Sequence, residues 1–456
     1  MLITTCFLGI TKVQAGLLDN TFDIGSGADG LIEQALQAPD GKVLVCGNFT
    51  TFNGINRGYV ARLNNDGSVD QSFFAHPGYW VRHVALQPDG KIVIGGYFAN
   101  VEGEPRNLIA RLNPDGSLDP SFNPGSGADI IIAGGVDGNM TPFVFWQEVQ
   151  PDGRIIITGN FRQYNGQPAM GIARLNPDGS RDTTFQIGQG FDSWGRFIKI
   201  LPNDQILVSG WFTSYDGHNA NRLVRINSDG SQDTGFNPFY GDRTAIYTVA
   251  VAPDGKYITA GDSLNLDDLF KRNIEKVNLD GSVDESWVGT SSDKTESLLM
   301  QPDGSVIAAG FFALLDGQSR QSLGRFNPDG TLDPNFVVNA DNFIWHIAPA
   351  GSDKILISGG FTSIDGASRR SVARLNVPGG AIGPPPPPAP VMMDPRLSRG
   401  QFAVTVTTVQ GRTYSLQAKA PNDSSWAILQ TITASGESEV FVDTPTSPRL
   451  YRIQAK

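Results

Sequence analysis

The chain has 456 residues, 39% hydrophobic and 18% charged, a balance that excludes an intrinsically disordered protein. Thirty-five Lys and Arg against 46 Asp and Glu leave a formal charge of −11 with no basic run, so nucleic acid is not an expected partner. Fifty-three Gly and 29 Pro beside so few charges point to many short strands joined by turns, and two cysteines, Cys6 and Cys46, offer no disulfide framework.

The first element in chain order is the apolar run Leu2–Ile10, too short to span a bilayer. The small-residue pattern Val13-Gln14-Ala15 follows it, so residues 1–15 read as the end of a secretory signal, although no Lys or Arg precedes the run. A secreted or cell-surface protein beginning at Gly16 is the expectation.

From residue 18 onward the chain repeats itself. The phrase from Ala110 to Phe122, ARLNPDGSLDPSF, recurs with its basic residue at Arg62, Arg111, Arg174, Arg225, Lys276, Arg325 and Arg374. Intervals of 49, 63, 51, 51, 49 and 49 residues separate these anchors, the period of propeller blades. A second phrase, QPDGKIVIGGYF from Gln87 to Phe98, carries an apolar run with no polar face. Such a strand is buried on both sides, as it is when a sheet is stacked between two others. Two Pro-Asp-Gly-type hairpins per copy predict four antiparallel strands. Hairpin register then sets Arg111 opposite Asp119, and likewise Arg62/Asp70, Arg174/Asp182, Arg225/Asp233, Lys276/Asp284 and Arg325/Asp333.

Arg374 has no such Asp after it; the missing phrase stands upstream, as Leu18-Asp19-Asn20-Thr21-Phe22. The reading is an all-β protein: a seven-bladed β-propeller over residues 16–378, closed by the N-terminal strand, with Arg374 facing Asp19 and with Leu18 and Phe22 packed in the seventh blade. The pair is expected to be exposed and worth about 0–1 kcal/mol. Burial of Phe22, about 1.5–3 kcal/mol, would matter more.

The repeated phrase, together with Gly-Asn-Phe at 47–49 and 159–161, resembles the delta-60 repeat family of bacterial, mostly extracellular, propeller-forming proteins. The resemblance implies the fold and brings no shared activity. The fifth copy departs most, with Gly261-Asp262-Ser263 for Gly-x-Phe and Trp287 for the final Phe, and is expected to be the least regular blade.

Residues 379–391, rich in proline, read as a stiff linker. Residues 392–456 then hold five strand-like runs: 402–407, 413–419, 426–433, 439–443 and 449–453. They predict a small β-sandwich. Its phrases at 411–415, 425–426 and 449–452 resemble C-terminal modules on secreted proteins of Planctomycetes and Verrucomicrobia, which implies an accessory, adhesion or export role.

The chemistry is sparse. Asn113, Asp115, Ser117 and Asp119 place oxygens at alternating positions, a pattern that invites calcium, but the turn explains each residue without a metal. His83 and His346 share one repeat position that Gln34, Trp146, Phe197, Thr248 and Ser297 fill elsewhere, so packing is preferred to a ligand set. No nucleophile elbow, zinc spacing or phosphate loop is present, and neither metal nor cofactor is expected. One step earlier the series is Glu33, Arg82, Phe145, Arg196, Tyr247, Glu296 and Trp345, polar, charged and aromatic where pure packing would be more uniform, although structural filling of the channel is the competing reading. These residues, with Trp146, are the candidate ligand-binding set at a channel mouth. The long third copy adds a loop around Ile130–Pro142, on the face opposite the Pro-Asp-Gly hairpins, where binding tends to concentrate. The expected function is non-catalytic binding of a polysaccharide or a cell-surface protein by a monomer without a membrane span. The alternative is a hydrolase or lyase using Glu33 and Glu296. Fold alone does not choose between them.

Overall fold

The computed structural model describes residues 17–129, 141–238, 243–263, 271–377, 392–398, 401–407, 413–419, 427–433, 438–443 and 450–455. The expected signal, nearly all of the 130–142 insertion and the 379–391 linker lie outside the described residues. The chain divides into two compact units, Met1–Gly383 and Pro384–Lys456. Every regular element among the described residues is a strand.

The first unit contains seven successive antiparallel sheets, one per repeat. Their first strands are Leu31–Gln37, Val81–Leu86, Phe143–Val149, Gly195–Ile200, Arg243–Val251, Thr295–Met300 and Ile344–Pro349. Each pairs with a second strand, such as Ile92–Gly96, which pairs in turn with a third, such as Ile109–Leu112. All five residues of Ile92–Gly96 are buried, as expected for a strand apolar on both faces. The Pro-Asp-Gly turn supplies the first hairpin: Gly90 takes φ +81° and its N–H donates to the Gln87 carbonyl, while the Asp89 carboxylate accepts from the Lys91 N–H. Each first strand packs against the next, and Ile344–Pro349 packs against Leu31–Gln37.

The four-strand expectation needs correction. In five repeats the fourth strand shrinks to one β-bridge, for example Leu63↔Val69 and Leu112↔Leu118. Past the bridge the Asp of the repeated phrase forms a turn: Asp70 accepts from both the N–H and the hydroxyl of Ser72, as Asp284 does from Ser286. The fifth repeat instead carries a full fourth strand, Val283–Ser291. Six repeats also hold a short hairpin between their second and third strands, such as Thr51–Phe52 with Ile55–Asn56. Positive φ at both Asn53 and Gly54 makes this a type I′ turn.

The anchor pairs follow the predicted register. Arg Nε to Asp Oδ2 is 2.7 Å for Arg62/Asp70, Arg111/Asp119 and Arg174/Asp182, and 2.8 Å for Arg225/Asp233 and Arg325/Asp333. Each of these guanidiniums also lies over the Phe that ends its phrase, at 4.7–5.0 Å from the ring centroid. The fifth pair departs: Lys276 meets Asp254 at 2.7 Å, and Asp284 keeps the contact with Lys256, at 2.7 Å, that Lys42, Lys91 and Lys354 make with Asp70, Asp119 and Asp19 in other repeats. A lysine is a flexible point charge without the arginine fork, so it follows the nearest carboxylate.

The chain start meets the seventh repeat. Leu18 bridges Leu375, the Asp19 N–H donates to the Arg374 carbonyl at 2.9 Å, and Arg374 Nε lies 2.7 Å from Asp19 Oδ2. Phe22 is fully buried beside Leu356 and Val372, under the Arg374 guanidinium at 4.8 Å. The pair is buried, contrary to the expected exposure: Asp19 and Arg374 are each 4% accessible. The anchors also reach across repeats. Arg62, Arg111, Arg174 and Arg225 donate to carbonyls of the following repeat's turn, at Pro114, Pro177, Ser228 and Leu279, and Arg374 donates likewise to Asn65.

The second unit holds two three-stranded antiparallel sheets. One places Gln401–Thr407 between Met392–Ser398 and Ser438–Asp443; the other places Thr413–Lys419 between Ala427–Thr433 and Leu450–Ala455. Met392–Ser398 is a sixth strand beyond the five expected.

A candidate site at the channel mouth

Every first strand carries a β-bulge at the same place. The register shifts fall between Ile32 and Gln34, Val81 and His83, Val144 and Trp146, Gly195 and Phe197, Ile246 and Thr248, Thr295 and Ser297, and Ile344 and His346. The skipped residues are Glu33, Arg82, Phe145, Arg196, Tyr247, Glu296 and Trp345, the varied series of the sequence. A bulge sets two residues against one on the partner strand and re-aims a side chain. Two successive residues per strand therefore line one cavity of about 140 Å³. All eight sequence candidates are brought together there, with Gln34, His83, Phe197, Thr248, Ser297 and His346.

The cavity has layers. At its base the Trp146 ring stands 3.8 Å from His83, 4.7 Å from Phe197 and 6.0 Å from His346, centroid to centroid, and so reaches side chains of the second, fourth and seventh repeats. Burial pushes His83 well below the usual histidine range and His346 down to about 4, so both are neutral near pH 7. Hydrogen bonds lace the strands at this level: Gln34 accepts from the Val84 N–H at 2.7 Å, and Gln147 donates to the His83 carbonyl at 2.7 Å. Cys46, buried and reduced, lies beside Gln34.

Above the base lie two ion pairs. Arg82 stands 3.4 Å from Glu33, and Arg196 pairs with Glu296. Each guanidinium is also held by rings: Arg82 lies 4.1 Å from Phe145 and 5.5 Å from Trp345, and Arg196 lies 3.9 Å from Tyr247 and 4.8 Å from Phe145. Burial raises the carboxyl pKa of both Glu33 and Glu296, against the pull of the two arginines. Neither oxygen of Glu33, 2% accessible, makes a hydrogen bond, nor does the buried Trp80 Nε1.

A rim of aromatic side chains tops the ion pairs, and sequence reasoning missed it. Tyr97 stacks between Trp80 and Phe143, each 5.0 Å away; Phe143 meets Trp194 at 5.4 Å, Trp194 meets Trp211 at 4.9 Å, and Trp211 meets Tyr247 at 5.1 Å. Phe311 and Phe343 stack at 4.4 Å on the far side. Trp80, Tyr97, Trp194, Trp211, Phe311 and Phe343 are all partly exposed. Two repeat positions supply the rim: the residue two before the varied series, and the middle residue of Gly-x-Phe. Aligning the copies at those columns would have found it. The rim stands where the first strands begin, at the end opposite the Pro-Asp-Gly turns.

The calcium pattern is absorbed by turns. Asp115 accepts from the N–H and hydroxyl of Ser117, Asn113 donates to that hydroxyl, and Asp119 is held by Lys91 and Arg111. Among the described residues no group of three or more His, Cys, Asp or Glu is placed to hold a metal ion.

Six segments of the chain match the family described as a domain of unknown function (DUF5122) beta-propeller: residues 38–73, 87–122, 150–185, 201–236, 301–336 and 351–379. The repeats, their stacked sheets and this match make the first unit a β-propeller. The fifth repeat, with its altered phrase and extra strand, has no matching segment. No curated protein matches the chain. Among solved structures it is similar to PorZ, a surface component of the type-IX secretion system of Porphyromonas gingivalis, at 13% identity and a TM-score of 0.48. That similarity covers 94% of this chain and 60% of PorZ, so the chain spans less than two thirds of PorZ's length. It is also similar to the C-terminal WD40 domain of Sif2, at 13% identity and a TM-score of 0.39, over 76% of this chain and 82% of that one. A protein of unknown function from Dyadobacter fermentans is similar at 9% identity and a TM-score of 0.37, over 80% of this chain and 99% of that one. Among the described residues no helix is long and apolar enough to cross a membrane.

Proposed function

We propose that the chain is a secreted or cell-surface binding protein without catalytic activity, which takes a polysaccharide or another surface protein at its channel mouth. In this reading the seven sheets are the blades of one delta-60-like ring, closed by residues 17–22, and residues 392–456 are an accessory β-sandwich. The contacts of Leu18, Asp19 and Phe22 with the seventh repeat support the closure. The run Leu2–Ile10 and the Val13-Gln14-Ala15 pattern support export.

The observation that carries the binding reading is the partly exposed aromatic rim above two arginine–glutamate pairs. Exposed aromatic faces in a concave site with a few fixed polar groups suit recognition. The carboxylates below are paired with arginines, whose guanidiniums lie against the rings. A glycan array run beside a panel of hydrolase substrates on the purified full chain tests the proposal. Binding without turnover is the expected result; turnover of any substrate overturns it.

One observation favours the hydrolase or lyase alternative: Glu33 and Glu296 share a cavity and burial raises both carboxyl groups, as a general acid requires. On that reading turnover appears in the panel and is lost in both Glu33→Gln and Glu296→Gln.

A further inference from the structure

We infer that the channel mouth is a blind cup for the end of a neutral saccharide chain, with Glu33 and Trp80 holding one of its hydroxyls. The inference rests on the polysaccharide arm of the proposed function and narrows it to one kind of ligand.

The cup is blind because Trp146 lies across its base, touching side chains of the second, fourth and seventh repeats. Its cavity of about 140 Å³ has room for roughly four or five waters at ~30 Å³ each. That admits a terminal ring or a substituent and gives a threaded polymer no exit.

Charge selects against ions. The cup's two arginines and two glutamates balance, so neither an anion nor a cation finds a surplus partner. Cation–π sites are already occupied as well: the guanidiniums of Arg82 and Arg196 lie against the rings that would otherwise cage an ammonium group.

Two groups without a hydrogen bond name the chemistry. Glu33, ion-paired with Arg82, offers two buried acceptor oxygens that receive no hydrogen bond, and Trp80 Nε1 is a buried donor that makes none. Arg82 joins the two: its guanidinium lies 3.4 Å from Glu33 and 5.5 Å from the centre of the Trp80 ring, so carboxylate and indole flank one side chain. A hydroxyl between them donates to the carboxylate and accepts from the indole, satisfying both. The rim above adds the faces of Trp194 and Trp211 for the apolar side of a sugar ring.

Tryptophan fluorescence titration of the full chain, with linear neutral oligosaccharides and with cyclic oligosaccharides of the same sugars, tests this. Linear forms are expected to bind, and the cyclic forms, having no end, to bind at least about tenfold more weakly. Glu33→Gln and Trp80→Phe should each weaken the linear ligand by about tenfold, since the first replaces a charged acceptor by a neutral one and the second removes the donor. Thermal melting of both variants at the parent's temperature separates this from misfolding. The two substitutions act on different residues, so a folding defect in one leaves the other to decide. Equal binding of cyclic and linear forms overturns the blind cup and leaves the polysaccharide reading standing. Unchanged affinity in a folded Glu33→Gln or Trp80→Phe overturns the hydroxyl site alone. If no saccharide binds, the inference falls, together with the polysaccharide arm of the proposed function.

Discussion

Asp19 gathers four donors: Arg374 Nε at 2.7 Å, Lys354 Nζ at 2.7 Å, and the N–H and hydroxyl of Thr21 at 2.9 and 2.6 Å. Burial opposes its charge, yet the bonds from Lys354, Thr21 and Arg374 outweigh burial and hold the carboxyl well below the usual carboxylate range. Removing one partner of a buried pair leaves the other uncompensated, so Asp19→Ala should lose about 3–5 kcal/mol in urea unfolding. A carboxyl whose pKa falls on folding contributes fully above its unfolded value, about 3.9, and less as pH drops toward the folded value. Asp70 and Asp119 share this environment, so the anchors should fail together below about pH 4. His346 acts in a higher window. Its pKa falls from 6.5 to about 4 on folding, so the unfolded chain binds the proton first and stability declines as pH falls between those values. Gln34 fills the same position in the first repeat, and His346→Gln should make the melting-temperature profile less steep between pH 6.5 and 4, the depressed His83 contributing the remaining slope. A profile identical to the parent's would assign that decline elsewhere.

At the scale of the element, what decides legibility is whether a feature is set locally. The Arg–Asp pairs were readable because a hairpin loop of fixed length sets the register of the strands it joins. The bulges were not, since a bulge depends on how many residues the partner strand sets opposite, and nothing in Glu33-Gln34 or Arg82-His83 announces it. The varied series was singled out by its composition, but the pairing of two successive channel-facing residues needed the structure. The type I′ hairpins were legible and passed over: Asn53-Gly54, Glu102-Gly103 and Asp216-Gly217 each take positive φ at both residues. Glycines at the two kinds of turn should respond differently. A side chain at Gly103 would meet nothing within 4 Å, whereas at Gly116 it would stand 2.7 Å from the Phe74 carbonyl oxygen of the preceding repeat. Gly103→Asn should therefore stay within about 1 kcal/mol of the parent, since Asn tolerates the left-handed region. Gly116→Asn should lose about 3 kcal/mol or more, because backbone has to move. Chemical denaturation of the two variants side by side checks the difference.

Across the first unit, stability is shared between neighbours. Arg62, Arg111, Arg174 and Arg225 each bind their own repeat and the turn of the next, and Arg374 does so with Asn65 of the first repeat. Deleting residues 1–23 removes Leu18, Asp19 and Phe22 from the seventh sheet and bares the edge of Val372–Asn376. The truncated protein should melt well below Asp19→Ala and elute as concentration-dependent oligomers on size exclusion, because an unpaired edge recruits other strands. A truncation that melts and elutes like the parent would show that the chain start is dispensable. The contact between Asp19 and Arg374 also imposes an order in time. Its partners lie 355 positions apart (374 − 19). At roughly 5–20 residues per second of synthesis, Arg374 leaves the ribosome roughly 18–70 seconds after Asp19. Through that interval Phe22 lacks Leu356 and Val372, and the nascent chain carries an unsatisfied strand that only its own last repeat completes.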